Sequence, residues 1–476
     1  MFTLFDDELD AFARRTLLMH RDFEAGRWTE PRLAEHQLAG VRDIMRFTRE
    51  NSPFYREHLA AYDAGRVDAL TLDTFADVPF TTKDDLRQNM LGMLSEQLTD
   101  GWVFYETTGT TGPSTPCPRN NVDSLVNNTV LTLCYDSVLR RHQGPHMIAV
   151  MGPTELHSTG DTFGDVFRNL GHTVAKMWPH SPVVGFSRAV HLLRELRFTG
   201  LVCTPGMAMT LAKEAHRAGL DPRKDFSVGF LLLVGELLTP ALAASIGSLW
   251  NAQAYNCMYA SQESSILAAV RDDGLLHTAP LNAYYEIVDP DTGARVAPAG
   301  DGSLEGELVI THLYRGCKPL VRYRTGDMAV LSPAADGARY PSPLLRPLGR
   351  VRDRLELNGR RVFAYDLEES VLDQVTGCQG YQVVIDRTED GVDTLTVRLE
   401  MAAFADRAEA RADAIRDRLL ASFGTPAEVE FAELGAIATT GAMVSWKAAR
   451  IHDRRVGEPE PERLAALAIA NQREDR

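Results

Sequence analysis

The chain has 476 residues, 44% of them hydrophobic and 24% charged, with a formal net charge of −15. That length points to roughly two to four domains with an ample core. The acidic balance excludes non-specific nucleic-acid binding, which needs a basic surface; a polyanionic ligand such as a nucleotide would need a local basic pocket.

The first residues, Met1-Phe-Thr-Leu-Phe-Asp-Asp7, are acidic and lack the basic start and apolar run of a signal peptide. No stretch approaches the roughly 18–20 apolar residues of a membrane span, so no membrane partner is expected. Residues 31–50 read as an amphipathic helix with Leu38, Val41 and Met45 on one face, stopped by Asn51-Ser52-Pro53. Phe80-Thr-Thr-Lys-Asp-Asp-Leu86 has the form of an N-cap followed by an acidic first turn. Next comes Trp102-Val-Phe-Tyr-Glu106 and then Thr107-Thr108-Gly109-Thr110-Thr111-Gly112, four hydroxyls and two glycines with no bulky side chain. Glycine admits positive φ, so successive N–H groups can turn toward one anion, and the threonines add donors. On these residues alone a phosphate cradle and a surface turn stand level.

From about residue 146 short apolar runs alternate with helical patterns. Strands are expected at 147–151, 200–204 and 229–234, and helices at 189–196 and 207–218. Continuous apolar strands alternating with helices indicate a parallel sheet built from βαβ units. The rhythm then changes to β-meander at 284–288 and 307–311, with a turn at Asp289-Pro-Asp-Thr-Gly293. Residues 333–347, with four prolines, read as a loop before a boundary. After Gly349 the chain is small and mixed, with strands at 355–357 and 382–385 and an Ala/Arg-rich helix from about Phe404 to Ser422. The tail after Gly457 is charged, with a short helix expected at 462–470. The expected fold class is α/β: a large N-terminal α/β domain with a β-meander or barrel portion (1–349), a small α+β C-terminal domain (350–457) and a charged tail (458–476). The six cysteines are scattered without a C-x-x-C pair. This argues against a disulfide framework and for a reducing, cytoplasmic setting.

Five further stretches join the Thr/Gly loop: Val234-Gly235-Glu236; Tyr255 to Tyr259-Ala-Ser-Gln262-Glu263; Gly306 through Pro319-Leu-Val-Arg-Tyr-Arg-Thr-Gly-Asp327; Gly349-Arg350-Val-Arg-Asp353 with Asn358-Gly359; and Gly441 to Lys447-Ala-Ala-Arg450. In this order they resemble the motifs of the adenylate-forming ligases. Within that superfamily Glu50-Asn-Ser-Pro-Phe-Tyr-Arg56, Pro79 to Leu86 and Pro319 to Asp327 are similar to the phenylacetate-CoA ligase family. The resemblance implies that a carboxylate attacks the α-phosphate of ATP, giving an acyl-adenylate and pyrophosphate, with transfer to CoA following. Positioning and charge neutralisation would do most of the work. It implies that Thr107, Thr108, Gly109, Thr110, Thr111 and Gly112 hold the β- and γ-phosphates and that Glu263, a hard oxygen donor, binds Mg²⁺. Tyr259 would stack on adenine, Gly235 and Glu236 would line the adenine pocket, and Gln262 belongs to the same nucleotide site. Asp327 would accept from the ribose hydroxyls, Arg350 would reach the nucleotide, and Lys447 would bridge the α-phosphate and the reacting carboxylate. The small domain would be mobile, presenting first Lys447 and then the Gly359 region.

Four positions depart from the family pattern. Pro113 follows the loop where the family usually has Lys, Arg352 stands at the linker where Asp is more frequent, and Gln262 and Ala260 replace Ser/Thr and Gly. Some members carry zinc; here His277 has no nearby Cys, so zinc is not expected. His157, after the 147–151 strand, faces the expected acyl pocket, which Trp178, His180 and Gly235 would help to line. Aromatic and imidazole groups suit a planar aryl acid, although His157 equally fits a hydrogen-bonded loop. The alternatives are the same activation with another acceptor or substrate (an amine in an amide synthetase, a carrier-protein thiol, or nitrite in a diazotase), and, last, a non-catalytic nucleotide-binding module. Some members of the family dimerise; nothing in this sequence identifies a homodimer interface.

Overall fold

A computed structural model describes residues 6–107, 114–405, 409–437 and 450–455. They fall into two compact units, each discontinuous in sequence. One comprises Met1–Arg141, Glu155–Leu170 and Met258–Arg352; the other comprises His142–Thr154, Gly171–Cys257 and Asp353–Arg476.

In the first unit, helices Asp7–Glu24, Glu30–Asn51 and Asn121–Leu139 accompany a seven-stranded antiparallel sheet. Its spatial order is Met258–Ser261, Ser265–Val270, Leu276–Thr278, Leu344–Arg350, Tyr323–Ser332, Leu304–His312, Ala283–Val288. The helix expected at 31–50 is Glu30–Asn51, begun by the Thr29 cap and Pro31 and buried through Val41, Ile44 and Met45. Ser52 ends it and caps the next helix, Pro53–His58, by accepting from the Tyr55 N–H. The loop expected at 333–347 is shorter than that, because Leu344–Arg350 is a strand. Pro347 is tolerated there since it sits opposite Ala329, where the register shifts at a bulge.

The second unit contains a five-stranded parallel sheet in the order Thr173–Lys176, Met147–Val150, Gly200–Cys203, Phe230–Leu233, Gln253–Asn256. Every residue of Gly200–Cys203 and Phe230–Leu233 is buried, as continuous apolar runs require. The strand order reverses beside Met147–Val150, and ligands of such sheets lie beyond the strand carboxyl ends at that point. The unit continues with the hairpin Leu355–Leu357/Arg360–Val362, whose Asn358-Gly359 turn has φ of 48° and 77°. A four-stranded sheet then packs with helices Ala364–Leu372 and Glu409–Phe423. Phe404 and Ala405 precede that last helix rather than begin it. One apolar core runs from Leu201 and Leu231 to Leu367, Val383 and Val397. The charged tail expected after Gly457 lies outside the described residues. No helix among the described residues is long and apolar enough to cross a membrane.

Candidate functional site

The first unit encloses a cavity of about 510 Å³, within the range of small-molecule sites. Its lining brings together Thr107, His157, Tyr259, Gln262, Glu263, Asp327 and Arg350, residues spread over 240 positions of sequence and all expected from it. Five cationic side chains (Lys83, Arg87, Arg324, Arg350, Arg352) meet three carboxylates (Glu263, Glu307, Asp327) in its walls. A chain of net charge −15 thus carries a locally basic pocket, the feature a polyanion needs.

Lys83 was not assigned from sequence. Its ammonium lies 2.8 Å from Glu263 Oε1. Lys83 opens the helix Lys83–Asn89, which Thr82 and Asp85 start with a reciprocal capping box. This helix start is tied to the segment leading into Tyr323–Ser332 by Thr81, whose hydroxyl donates to the Val321 carbonyl at 2.7 Å and pairs with Tyr55 Oη at 3.1 Å. Tyr55 Oη also accepts from the Val321 N–H. The two N-terminal stretches singled out in the sequence therefore build the anchor that aims Lys83. Burial pushes the Glu263 carboxyl up, but Lys83 outweighs it and holds that group below its ordinary value, hence ionised.

Opposite, the Tyr259 hydroxyl donates to Asp327 Oδ2 at 2.6 Å. Burial, then the Asp327 charge, keeps the phenol well above its usual range, so it remains the donor. Burial also raises the Asp327 carboxyl, with Tyr259 and Arg350 pulling the other way. Arg350 is the register partner of Asp327, its Nε 4.0 Å from Oδ1. Glu307 holds the bulge before Asp327 by pairing with Arg324 and accepting the Gly326 N–H at 3.2 Å; Gly326 has φ 75°, which suits glycine.

Thr107 lies in an extended pair of segments in which Val103 bridges Arg119 and Glu106 bridges Pro116. Its Oγ1 accepts the Thr115 N–H at 2.9 Å. Thr108, Gly109, Thr110, Thr111, Gly112 and Pro113, together with Gly441 and Lys447, lie outside the described residues. The His157 ring accepts at Nδ1 from the Thr159 hydroxyl at 2.8 Å, and burial with Arg119 nearby pushes its pKa down to about 4.

The second unit holds Gly235 (φ 88°) and Glu236 just past the carboxyl end of Phe230–Leu233. The Glu236 carboxylate accepts from Arg450 Nη2 at 2.5 Å and from the Gly206 N–H at 3.2 Å, so it is engaged by protein groups. Arg450 also pairs with Glu368 at 3.2 Å. Trp178, His180 and Phe186 form an edge-to-face series after Thr173–Lys176, with centroid distances of 5.9 and 5.1 Å. His277 bonds Asp273 at 2.9 Å. Among the described residues no group of three or more His, Cys, Asp or Glu is arranged to hold a metal ion. Magnesium, which usually keeps several waters and binds substrate phosphates, needs only one or two protein carboxylates, and Glu263 supplies an ionised one.

His312 supports this site from behind, bonded to the Ser264 carbonyl at 3.0 Å and accepting the Leu320 N–H at 3.2 Å. Burial lowers its pKa from 6.5 to about 4. Between those values the unfolded chain binds the extra proton, so acidification from pH 6.5 toward 4 should destabilise the fold. Thermal midpoints measured across that window should fall. His312→Gln, which removes the titration, should make the fall shallower, and an equally steep fall would exclude His312 as a source.

Residues 359–455 match the model of the AMP-binding enzyme C-terminal domain. The chain is 29% identical to the phenylacetate-coenzyme A ligase of Pseudomonas putida, over 78% of this chain and 82% of that one. It is 29% identical to the phenylacetate-coenzyme A ligase of Aromatoleum evansii, over 89% and 94% of the two chains. A crystal structure of 2-hydroxyisobutyryl-CoA ligase in the postadenylation state, in complex with R3-HIB-AMP, superposes with a TM-score of 0.74. The identity is 20%, over 94% of this chain and 93% of that one, and this likeness speaks to the fold.

Proposed function

We propose that this chain, which belongs to the adenylate-forming superfamily and is similar to phenylacetate-CoA ligases, is an AMP-forming ligase that activates a carboxylic acid with ATP and passes the acyl group to CoA. The observation that carries this reading is the cavity in which Lys83, Glu263, Tyr259, Asp327 and Arg350 converge. Its cations suit a triphosphate. Asp327, fixed by Tyr259, offers a carboxylate to the ribose hydroxyls, and the ring of Tyr259 offers a face to adenine. Glu263 would hold Mg²⁺ against the phosphates; bound there, the ion neutralises phosphate charge. Lys83 lies beside Glu263 and provides the phosphate-facing cation that Pro113 does not. Thr108 to Gly112 would complete the phosphate grip, and Lys447 would neutralise charge between the α-phosphate and the attacking carboxylate. Gly235 and Glu236 would offer ligand-binding backbone past the carboxyl end of Phe230–Leu233, the Glu236 carboxylate being bound to Arg450.

An aromatic acid is the favoured substrate, because Trp178, His180 and Phe186 offer ring edges and faces after a strand carboxyl end. The C-terminal segment from residue 350 would contribute Lys447 to the first half-reaction and the Gly359 region to the second. A second reading keeps the activation and changes the acceptor to an amine, a carrier thiol or nitrite. The feature bearing on it is Arg352, a cation in the cavity lining that suits nitrite, the one anionic acceptor of the three.

The test is to incubate enzyme, ATP–Mg²⁺ and a panel of aryl acids, then to add CoA, an amine or nitrite. Thioester and AMP formed with CoA alone support the first reading. Consumption of amine or nitrite with no thioester supports the second.

A further inference from the structure

We propose that the acid activated here carries a hydrogen-bond-donating substituent, an amine or a hydroxyl, recognised by the amide oxygen of Gln262 with the ring N–H of His157 beside it. This rests on the adenylation reading and adds the substrate's polarity to it. Gln262 lies in the turn between Met258–Ser261 and Ser265–Val270 and lines the cavity. Its amide nitrogen donates to Ser158 Oγ at 3.1 Å. Its Oε1 is buried and has no hydrogen-bond partner among the described residues. A buried acceptor without a donor is costly, and native proteins keep few of them. The nucleotide groups that reach Glu263 in this reading are phosphates, which offer acceptors to a neighbour, as does the ionised carboxylate of the acid. Neither can bond an amide oxygen. The donors left are water on the Mg²⁺ at Glu263 and a group on the acid, and only the second makes the response to Gln262→Met depend on the acid's substituent.

His157 gives this wall its second element. It precedes Ser158, so the Gln262–Ser158 bond brings the amide to the same segment. The His157 Nδ1 accepts from the Thr159 N–H at 3.3 Å and faces the Thr159 hydroxyl at 2.8 Å. An accepting Nδ1 places the proton on Nε2, so the neutral ring, which lines the cavity, carries its donor on the nitrogen not bound to Thr159. Its low pKa keeps it neutral at physiological pH. An acceptor and a donor on one wall match a hydroxyl, which both gives and takes a hydrogen bond, or an amine, which gives to Oε1.

The experiment compares benzoate with the aminobenzoates and hydroxybenzoates, by pyrophosphate release and by calorimetric binding. At least one substituted acid should exceed benzoate about tenfold or more in kcat/KM and in affinity. Gln262→Met should shrink that ratio to about twofold or less, whereas Gln262→Glu, which retains an acceptor, should preserve it. Benzoate matching every substituted acid would overturn the proposal. So would Gln262→Met lowering all acids alike with a raised KM for ATP, the behaviour of an amide that faces phosphate. If no acid releases pyrophosphate but calorimetry shows the preference and its loss in Gln262→Met, the adenylation reading fails and the donor assignment stands.

Discussion

Lys83→Met should raise the KM for ATP by about tenfold or more and slow pyrophosphate release, since a charge-assisted hydrogen bond contributes on the order of 1.5–3 kcal/mol. The loop that would grip the phosphates has Pro113 where a cation is usual, so Lys83 would carry a larger share of the neutralisation. The substitution also leaves Glu263, 5% exposed, without its ion-pair partner. An uncompensated buried carboxylate destabilises the fold, so the thermal midpoint should fall too. The double variant Lys83→Met/Glu263→Gln separates the two effects. It should recover most of the lost stability, because no buried charge is left alone, and it should recover none of the turnover. Steady-state kinetics in ATP and thermal melts of the three variants measure both. An unchanged KM for ATP in Lys83→Met would remove Lys83 from the phosphate site.

Lys447→Ala should slow adenylation by about 10²–10³-fold, the usual cost of removing one group aimed at developing charge. Transfer from a supplied acyl-adenylate to CoA should stay within a few-fold of wild type, because the phosphate has by then become part of the leaving group. Arg450, three residues on, is buried against Glu236, Glu368 and Tyr381. Single-turnover measurements of the two half-reactions decide the matter. Equal losses in both would contradict a role confined to adenylation.

The features legible in the sequence were those with a local physical signal. Gly200–Cys203 and Phe230–Leu233 are apolar at nearly every position because both faces of their sheet are covered. The Thr82 cap and the Asp289–Gly293 turn were readable from the short polar side chains and glycine that such backbone needs. Helix Asn121–Leu139 escaped notice because it is buried on most sides, Asn127 and Asn128 included, which blurs the 3.6-residue pattern. Pro347 read as loop, and only its place at a bulge admits it to a strand. In the cavity wall, Asp327, Tyr259 and Glu263 are residues that the ordered motifs had singled out. Lys83 was not, because a lone Lys after two threonines reads as a helix start. Its role depends on Thr81 reaching Val321, 240 positions away. The engagement of Glu236 likewise depends on Arg450, 214 positions away, which no local pattern reveals.

The most direct measurement is acid-dependent exchange of labelled pyrophosphate into ATP, with Mg²⁺ present and CoA and every other acceptor left out. Reversible acyl-adenylate formation at the cavity of Lys83, Glu263 and Asp327 requires exchange with a matched acid, its near-abolition in Asp327→Ala, and none without acid. ATP that binds but never exchanges label across a broad panel of aryl and aliphatic acids would contradict it, leaving a nucleotide-binding module in place of a ligase.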